Sequence, residues 1–211
     1  TPSPVSPHSG VGLSAGNVIT PGIKNTIVGS LAGDGMTTGF NNTVMGYEAM
    51  SSATVSGAHV AIGYEALKTF SGTSNTSQFN TALGTQAGKG CTSGTFNTFI
   101  GGATGGDGTF TGASNTLVGY AAGFNITSGG NNLLLGKQAG RSTSPSGTIV
   151  TGSGVVCLGD DNITSLHCAD TSISSSDSRD KTDIADFSIG LNWIKDLRPV
   201  TYKWDKRTWY G

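Results

Sequence analysis

Short apolar clusters punctuate this chain at a nearly constant interval, and each is framed by the same small or polar residues. The frame reads Asn-Thr-x-aliphatic-Gly. It occurs as Asn-Thr-Ile-Val-Gly at 25–29, Asn-Thr-Val-Met-Gly at 42–46, His-Val-Ala-Ile-Gly at 59–63 and Asn-Thr-Ala-Leu-Gly at 80–84. It continues as Asn-Thr-Phe-Ile-Gly at 97–101, Asn-Thr-Leu-Val-Gly at 115–119 and Asn-Leu-Leu-Leu-Gly at 132–136, with a degenerate Val-Val-Cys-Leu-Gly at 155–159. Successive motif glycines lie 17, 17, 21, 17, 18, 17 and 23 residues apart. Three positions past the glycine, six of the seven clear copies carry alanine (Ala32, Ala49, Ala66, Ala87, Ala122 and Ala139).

That period is too short for a helical hairpin repeat and suits one turn of a β-solenoid. Each unit predicts one strand of three or four residues, bounded by Asn and Gly, which both tolerate left-handed backbone angles in tight turns. Side chains alternate between faces along a strand. The aliphatic residue before each glycine (Val28, Met45, Ile62, Leu83, Ile100, Val118, Leu135) is therefore expected to fill its own coil. Its neighbour (Ile27, Val44, Ala61, Ala82, Phe99, Leu117, Leu134) is then expected to face outward, and it is apolar too. Two apolar faces on one strand imply that both are buried. The simplest cover for the outer one is a second copy of the chain, so the pattern predicts a homo-oligomer with the strands at a shared axis, three-fold being the favoured closure. The expected fold is all-β: a trimeric parallel β-solenoid or β-roll with coils of about 17 residues. At about 4.8 Å per coil, eight coils would span roughly 35–40 Å.

Composition supports a repeat stack over a compact globule. Glycine accounts for 34 of 211 residues, hydrophobic residues for 35% and charged residues for 12%. The formal net charge of -1 lacks the basic excess that phosphate neutralisation requires, so no nucleic-acid partner is expected. No apolar stretch reaches the roughly 18–20 residues of a membrane span, and no membrane insertion or signal peptide is expected. The glycine pairs around 101–106 lack the Lys-Ser/Thr of a phosphate-binding loop. The chain starts at Thr1, which leads us to expect a piece of a longer or processed protein.

The candidate chemistry is sparse. Cys91, Cys157 and Cys168 are odd in number, have no metal-ligand spacing and read as small buried residues. Neither a metal site nor any cofactor is expected, nor carboxylates paired for glycan hydrolysis. Asp160-Asp161 reads as a solvated turn, with a cation on an oligomer axis as the alternative. The longer intervals at 71–79 and 102–112 are the candidate contact loops.

Beyond Asp160 the character changes. Residues 160–175 are Ser/Thr-rich and read as a connector. Leu191, Ile194 and Leu197 have the spacing of a short amphipathic helix stopped by Pro199. Val200, Tyr202 and Trp204 then alternate with polar residues as in a half-buried strand. The sequence thus divides into a connection (1–16), a repeat region (17–159), a connector (160–175) and a mixed helix–strand segment (176–211).

The repeats over 17–159 resemble the Asn-Thr-Ala-Ile-Gly-Tyr-x-Ala-type repeats of tail-fibre proteins of marine phages and large algal viruses. More loosely, they resemble the head coils of trimeric autotransporter adhesins. Tyr47, Tyr64 and Tyr120 occupy the tyrosine position, whereas Ser30, Thr85, Gly102 and Lys137 depart from it. The tail carries Ser-Asp-x-Arg-x-Lys from Ser176, Gly-Leu-x-x-Ile-x-x-Leu-Arg-Pro-Val from Gly190 and Tyr-Lys-Trp-Asp-Lys-Arg from Tyr202. In that order these motifs resemble the start of the endosialidase-type C-terminal intramolecular chaperone, although the family's domain extends further than residue 211.

The resemblance implies a structural or adhesin segment of a viral tail fibre: extracellular, on the virion, homotrimeric, and folded by a chaperone that then releases itself. It implies single-turnover autoproteolysis by Ser176 and Lys181, a hydroxyl nucleophile and a lysine base, with no external substrate. It also implies other tail or fibre proteins and a host-surface receptor, such as a glycan, as partners. The alternatives are a bacterial trimeric surface adhesin or extracellular filament subunit, and a glycan-cleaving tailspike whose enzyme domain lies elsewhere.

Overall fold

The computed structural model describes residues 9–167 other than 18, 20, 21 and 107. The chain divides into two compact units, residues 1–166 and 167–211, and all the described residues except His167 belong to the first. The predicted helix at 191–197 and strand at 200–204 lie outside the described residues.

The first unit is a parallel β-solenoid. Its strands are β1 (Ser9–Val11), β2 (Thr26–Val28), β3 (Thr43–Met45), β4 (Val55–Gly57), β5 (Val60–Ile62), β6 (Thr73–Ser77) and β7 (Thr81–Leu83). They are followed by β8 (Thr98–Ile100), β9 (Thr116–Val118), β10 (Leu133–Leu135) and β11 (Val156–Leu158). Nine of them form one sheet in the order β1-β2-β3-β5-β7-β8-β9-β10-β11, and β4 pairs with β6 in a second, two-stranded sheet. In the large sheet every pairing is parallel and in register, so that Val28 sits beside Met45 and Leu83 beside Ile100. Each strand is thus stacked on its counterpart one coil away. The stack also takes in β1, which belongs to the segment read from sequence as a connection; Gly12 lies 17 residues before Gly29 and is followed three residues on by Ala15.

The core is a column of residues from the middle of each strand. Ile27, Val44, Ala61, Ala82, Phe99, Leu117 and Leu134 are fully buried, and Cys157 nearly so. The post-glycine alanines, Ala32 to Ala139, pack beside them, and a third column with Met36, Ala53, Phe70, Cys91 and Ile126 closes the coil. Each large side chain buried in this way contributes about 1.5–3 kcal/mol.

The facing of the strands is the reverse of the sequence expectation. The middle residue points inward, and the residue before the glycine points out: Met45, Leu83, Ile100, Leu135 and Leu158 are exposed, while Val28, Ile62 and Val118 are half-buried. The reason is the asparagine two positions before the middle residue. It is buried, not exposed in a turn, and alternation then carries the middle residue inward with it.

The motif glycines allow the coils to close up. Gly12, Gly29, Gly46, Gly63, Gly84, Gly101 and Gly119 have φ between 124° and 138°, and an added Cβ would lie 2.3–2.7 Å from backbone atoms of the next coil's glycine. No other residue fits there.

Candidate assembly surface

The asparagines form a continuous ladder inside the stack. Asn42 donates its backbone N–H (3.0 Å) and its Nδ2 (3.1 Å) to Oδ1 of Asn25, and Asn42 Nδ2 also reaches the carbonyl of Ser56 at 3.1 Å. The same set recurs from Asn97 to Asn80, from Asn115 to Asn97 and from Asn132 to Asn115, with backbone bonds of 2.9–3.1 Å. Each carboxamide therefore satisfies a turn carbonyl and the N–H of the following coil, groups that would be costly to bury unpaired.

His59 replaces one rung. Its backbone N–H donates to Asn42 Oδ1 at 3.0 Å, its Nδ1 accepts the N–H of Asn80 at 3.3 Å, and its Nε2 faces Gln78 Oε1 at 3.2 Å. That geometry assigns the proton to Nε2. The ring packs edge-on against Phe70 with centroids 4.6 Å apart. Burial pushes the imidazole pKa down to about 4, so the rung is neutral at physiological pH.

With the ladder inside, the outer face of the sheet carries two parallel columns. One is largely threonine (Thr26, Thr43, Thr81, Thr98, Thr116), giving way to Leu133 and Val156 at the last two strands; the other is the aliphatic series from Val11 to Leu158. In-register stacking makes the second a continuous apolar stripe along the whole sheet. It broadens at the C-terminal end, where Leu133, Leu135, Val156, Leu158, Ile163 and Leu166 are all exposed. Aromatic residues flank it. Tyr47 and Tyr64 stack at 5.8 Å on the side after the glycine, and Phe79 and Phe96 stack at 5.9 Å on the side before the asparagine.

A second cluster, of charges, sits on the turns. Lys68 bridges Glu48 and Glu65, and Glu65 also meets Lys89 at 3.0 Å and accepts from Gln86 Nε2 at 2.9 Å. The hydrogen bond from Lys68, with those from Gln86 and Lys89, brings the Glu65 carboxyl down to about 2. Glu48 and Glu65 both hold Lys68 above its ordinary range. Every member has an opposite-charge or hydrogen-bonding partner, so the cluster ties three coils together.

Of the candidate contact loops, 71–79 contributes β6 to the small sheet and ends in exposed Phe79. The 102–112 loop turns back into the core: Phe110 is buried edge-on to Phe99 at 5.2 Å, and Thr104, standing where other coils have alanine, donates to the carbonyls of Gly101 and Gly119. Asp160 makes a turn, accepting the N–H of Asn162 at 3.1 Å, with Lys137 at 3.6 Å. No group of three or more metal-ligating side chains occurs among the described residues. Cys91 and Cys157 are free and buried, and burial pushes the Cys91 thiol up to about 12. Cys168, Ser176 and Lys181 lie outside the described residues. Among the described residues no helix is long and apolar enough to cross a membrane.

An in-register parallel β-solenoid with an exposed aliphatic stripe defines a stacking repeat protein with one face suited to lie against another surface. Residues 176–209 match the model of a family described as the chaperone of endosialidase. The chain thus joins a β-solenoid to a segment similar to an intramolecular chaperone. No curated protein and no solved structure matches the chain.

Proposed function

We propose that this chain is a structural segment of a viral tail fibre, exposed on the virion, in which three copies lie side by side with their apolar stripes on a shared axis. The stripe from Val11 to Leu158 carries this reading, because it is the one long apolar surface that nothing in the described residues covers. Burial against two identical stripes removes it from water with closed symmetry. The chaperone-like segment at 176–209 supplies the trimerising step. Within it, Ser176 is the nucleophile and Lys181 the base for cleavage of a peptide bond beside Ser176. The hydroxyl proton passes to the lysine and on to the leaving amine, and water then hydrolyses the ester. The assembled shaft serves as a rigid spacer or presents loops to a host-surface receptor such as a glycan.

The test is the mass of the chain expressed with its full downstream sequence, together with its sedimentation. A trimer whose subunit is shortened to an end near Ser176, and which stays full-length in Ser176→Ala and Lys181→Ala, is the expected result. A monomer at all concentrations would overturn the trimeric shaft; an unshortened subunit would overturn the self-release.

A further inference from the structure

The aromatic residues beside the apolar stripe follow a rule that the protomer alone does not explain. Across five consecutive coils, the corner residue before the asparagine position and the residue after the glycine are never both large. The pairs Asn41/Tyr47, Ala58/Tyr64 and Ser114/Tyr120 put the ring on the post-glycine edge. The pairs Phe79/Thr85 and Phe96/Gly102 put it on the corner edge. Each coil thus carries one ring, on one edge or the other.

Phe79 and Phe96 are costly where they stand. Their φ values are 48° and 59°, in the left-handed region that costs an ordinary residue about 1–2 kcal/mol, and each residue is 56% exposed. Within the protomer the two rings stack on each other at 5.9 Å, which still leaves more than half of each residue in water. A ligand platform on one protomer would keep its rings on a single edge, whereas here the ring switches edge between coils.

We infer that the protomers meet along seams in which the corner edge of one chain faces the post-glycine edge of the next at the same coil, one aromatic ring filling each level. This rests on the trimer proposed above and specifies its register. In a three-fold ring every protomer offers one edge to each neighbour, so a ring on either edge fills all three seams at that level. Where the corner is Phe96, the opposing Gly102 leaves room for it; where the post-glycine residue is Tyr64, the opposing Ala58 does so.

The test is a size swap at one level in the full chain. Phe96→Gly suits the backbone, since glycine accepts φ near 59°. Gly102→Tyr is accommodated within the protomer, because a Cβ there makes an ordinary 3.5 Å contact with Tyr120. Each single substitution is expected to raise the concentration at which sedimentation shows trimer dissociation by about tenfold or more, and the double substitution to return it to near wild type. Effects that simply add in the double variant, with trimers still forming, would overturn the seam and leave the trimer standing. Wild-type protein that sediments as a monomer would overturn the trimer itself.

A second readout does not depend on those variants. Asn131→Cys with Lys137→Cys, in a Cys168→Ser background, places two thiols in the turns at opposite ends of β10 (Leu133–Leu135), roughly 15 Å apart and beyond disulfide reach within a chain. Oxidation is expected to yield covalent trimers on a non-reducing denaturing gel. Monomers alone, from protein that sediments as a trimer, would overturn the same-level register.

Discussion

The backbone N–H of Asn80 donates to Nδ1 of His59 at 3.3 Å, so an imidazole performs at this rung the task that a carboxamide oxygen performs at the neighbouring ones. An uncharged ring can accept that bond; a protonated one would turn a second N–H toward the first. The ladder therefore tolerates histidine only in its neutral form.

Stability should accordingly depend on pH. The imidazole ordinarily titrates near 6.5 and is held down to about 4 in the fold. The unfolded chain binds the proton first, so stability is complete above pH 6.5 and declines as pH falls toward 4, by roughly 3 kcal/mol in all. Urea midpoints measured between pH 7 and 4.5 should show this slope, and His59→Asn should flatten it. An equally steep slope in the variant would reject His59 as its source.

Glu65 adds a second and lower window. Its carboxyl is held at about 2 by Lys68, Gln86 and Lys89, so its contribution is full above the ordinary value near 4.5 and is lost as pH falls through 2. Glu65→Gln should remove acid sensitivity in that lower range only. Denaturation followed from pH 4 to 2 separates it from the histidine effect.

Replacing a rung should be more damaging than replacing a surface residue of similar size. Asn97→Leu removes the acceptor for the Asn115 N–H and the donor to the Gly112 carbonyl, leaving both buried without a partner, at about 1–3 kcal/mol each. A loss of about 3–5 kcal/mol is expected from denaturant unfolding. A loss below 1 kcal/mol would mean that the ladder does not hold the coils.

Two adjacent glycines should respond differently to the same change. At Gly101 φ is 124° and an added Cβ meets the Gly119 backbone at 2.7 Å, whereas the Cβ of Gly102 makes only ordinary contacts, with Tyr120 at 3.5 Å and the Thr85 carbonyl at 3.9 Å. Gly101→Ala is expected to cost about 3 kcal/mol and Gly102→Ala less than about 0.5 kcal/mol. Thermal midpoints of the two variants decide it; equal midpoints would reject the close stacking of the coils.

Much of the fold was legible because its period is written in residues that cannot be exchanged. Asn and Gly mark the ends of β2, β3 and β7 to β10, and the apolar residues between them gave each strand its place. The direction of the side chains was not legible. An asparagine next to a bend reads as exposed, and only its Oδ1 bond to the next coil reveals that Asn97 faces inward and takes Phe99 with it. β1 has glycine at the core position and no asparagine frame, so the spacing to Gly29 and the alanine at 15 were its only signals. β6 lacks any apolar residue, and its pairing with β4 shows only in three dimensions. Phe110 and Ile149 are core residues at irregular distances from their glycines, because the intervening loops vary in length. Ser176 and Lys181 were singled out only by the resemblance of their motif to that family; both fall within the matched residues 176–209 and outside the described ones.

The ladder has a foot. Asn132 Oδ1 receives the N–H of Val155 at 2.9 Å, but Val155 has no carboxamide to offer in turn. A further coil would find no carboxamide acceptor at this corner, while one inserted earlier would meet both a donor and an acceptor. Among the described residues the length of the ladder is thus set by how many asparagine units precede a single valine: adding or deleting whole coils upstream would change its reach without disturbing how it stops.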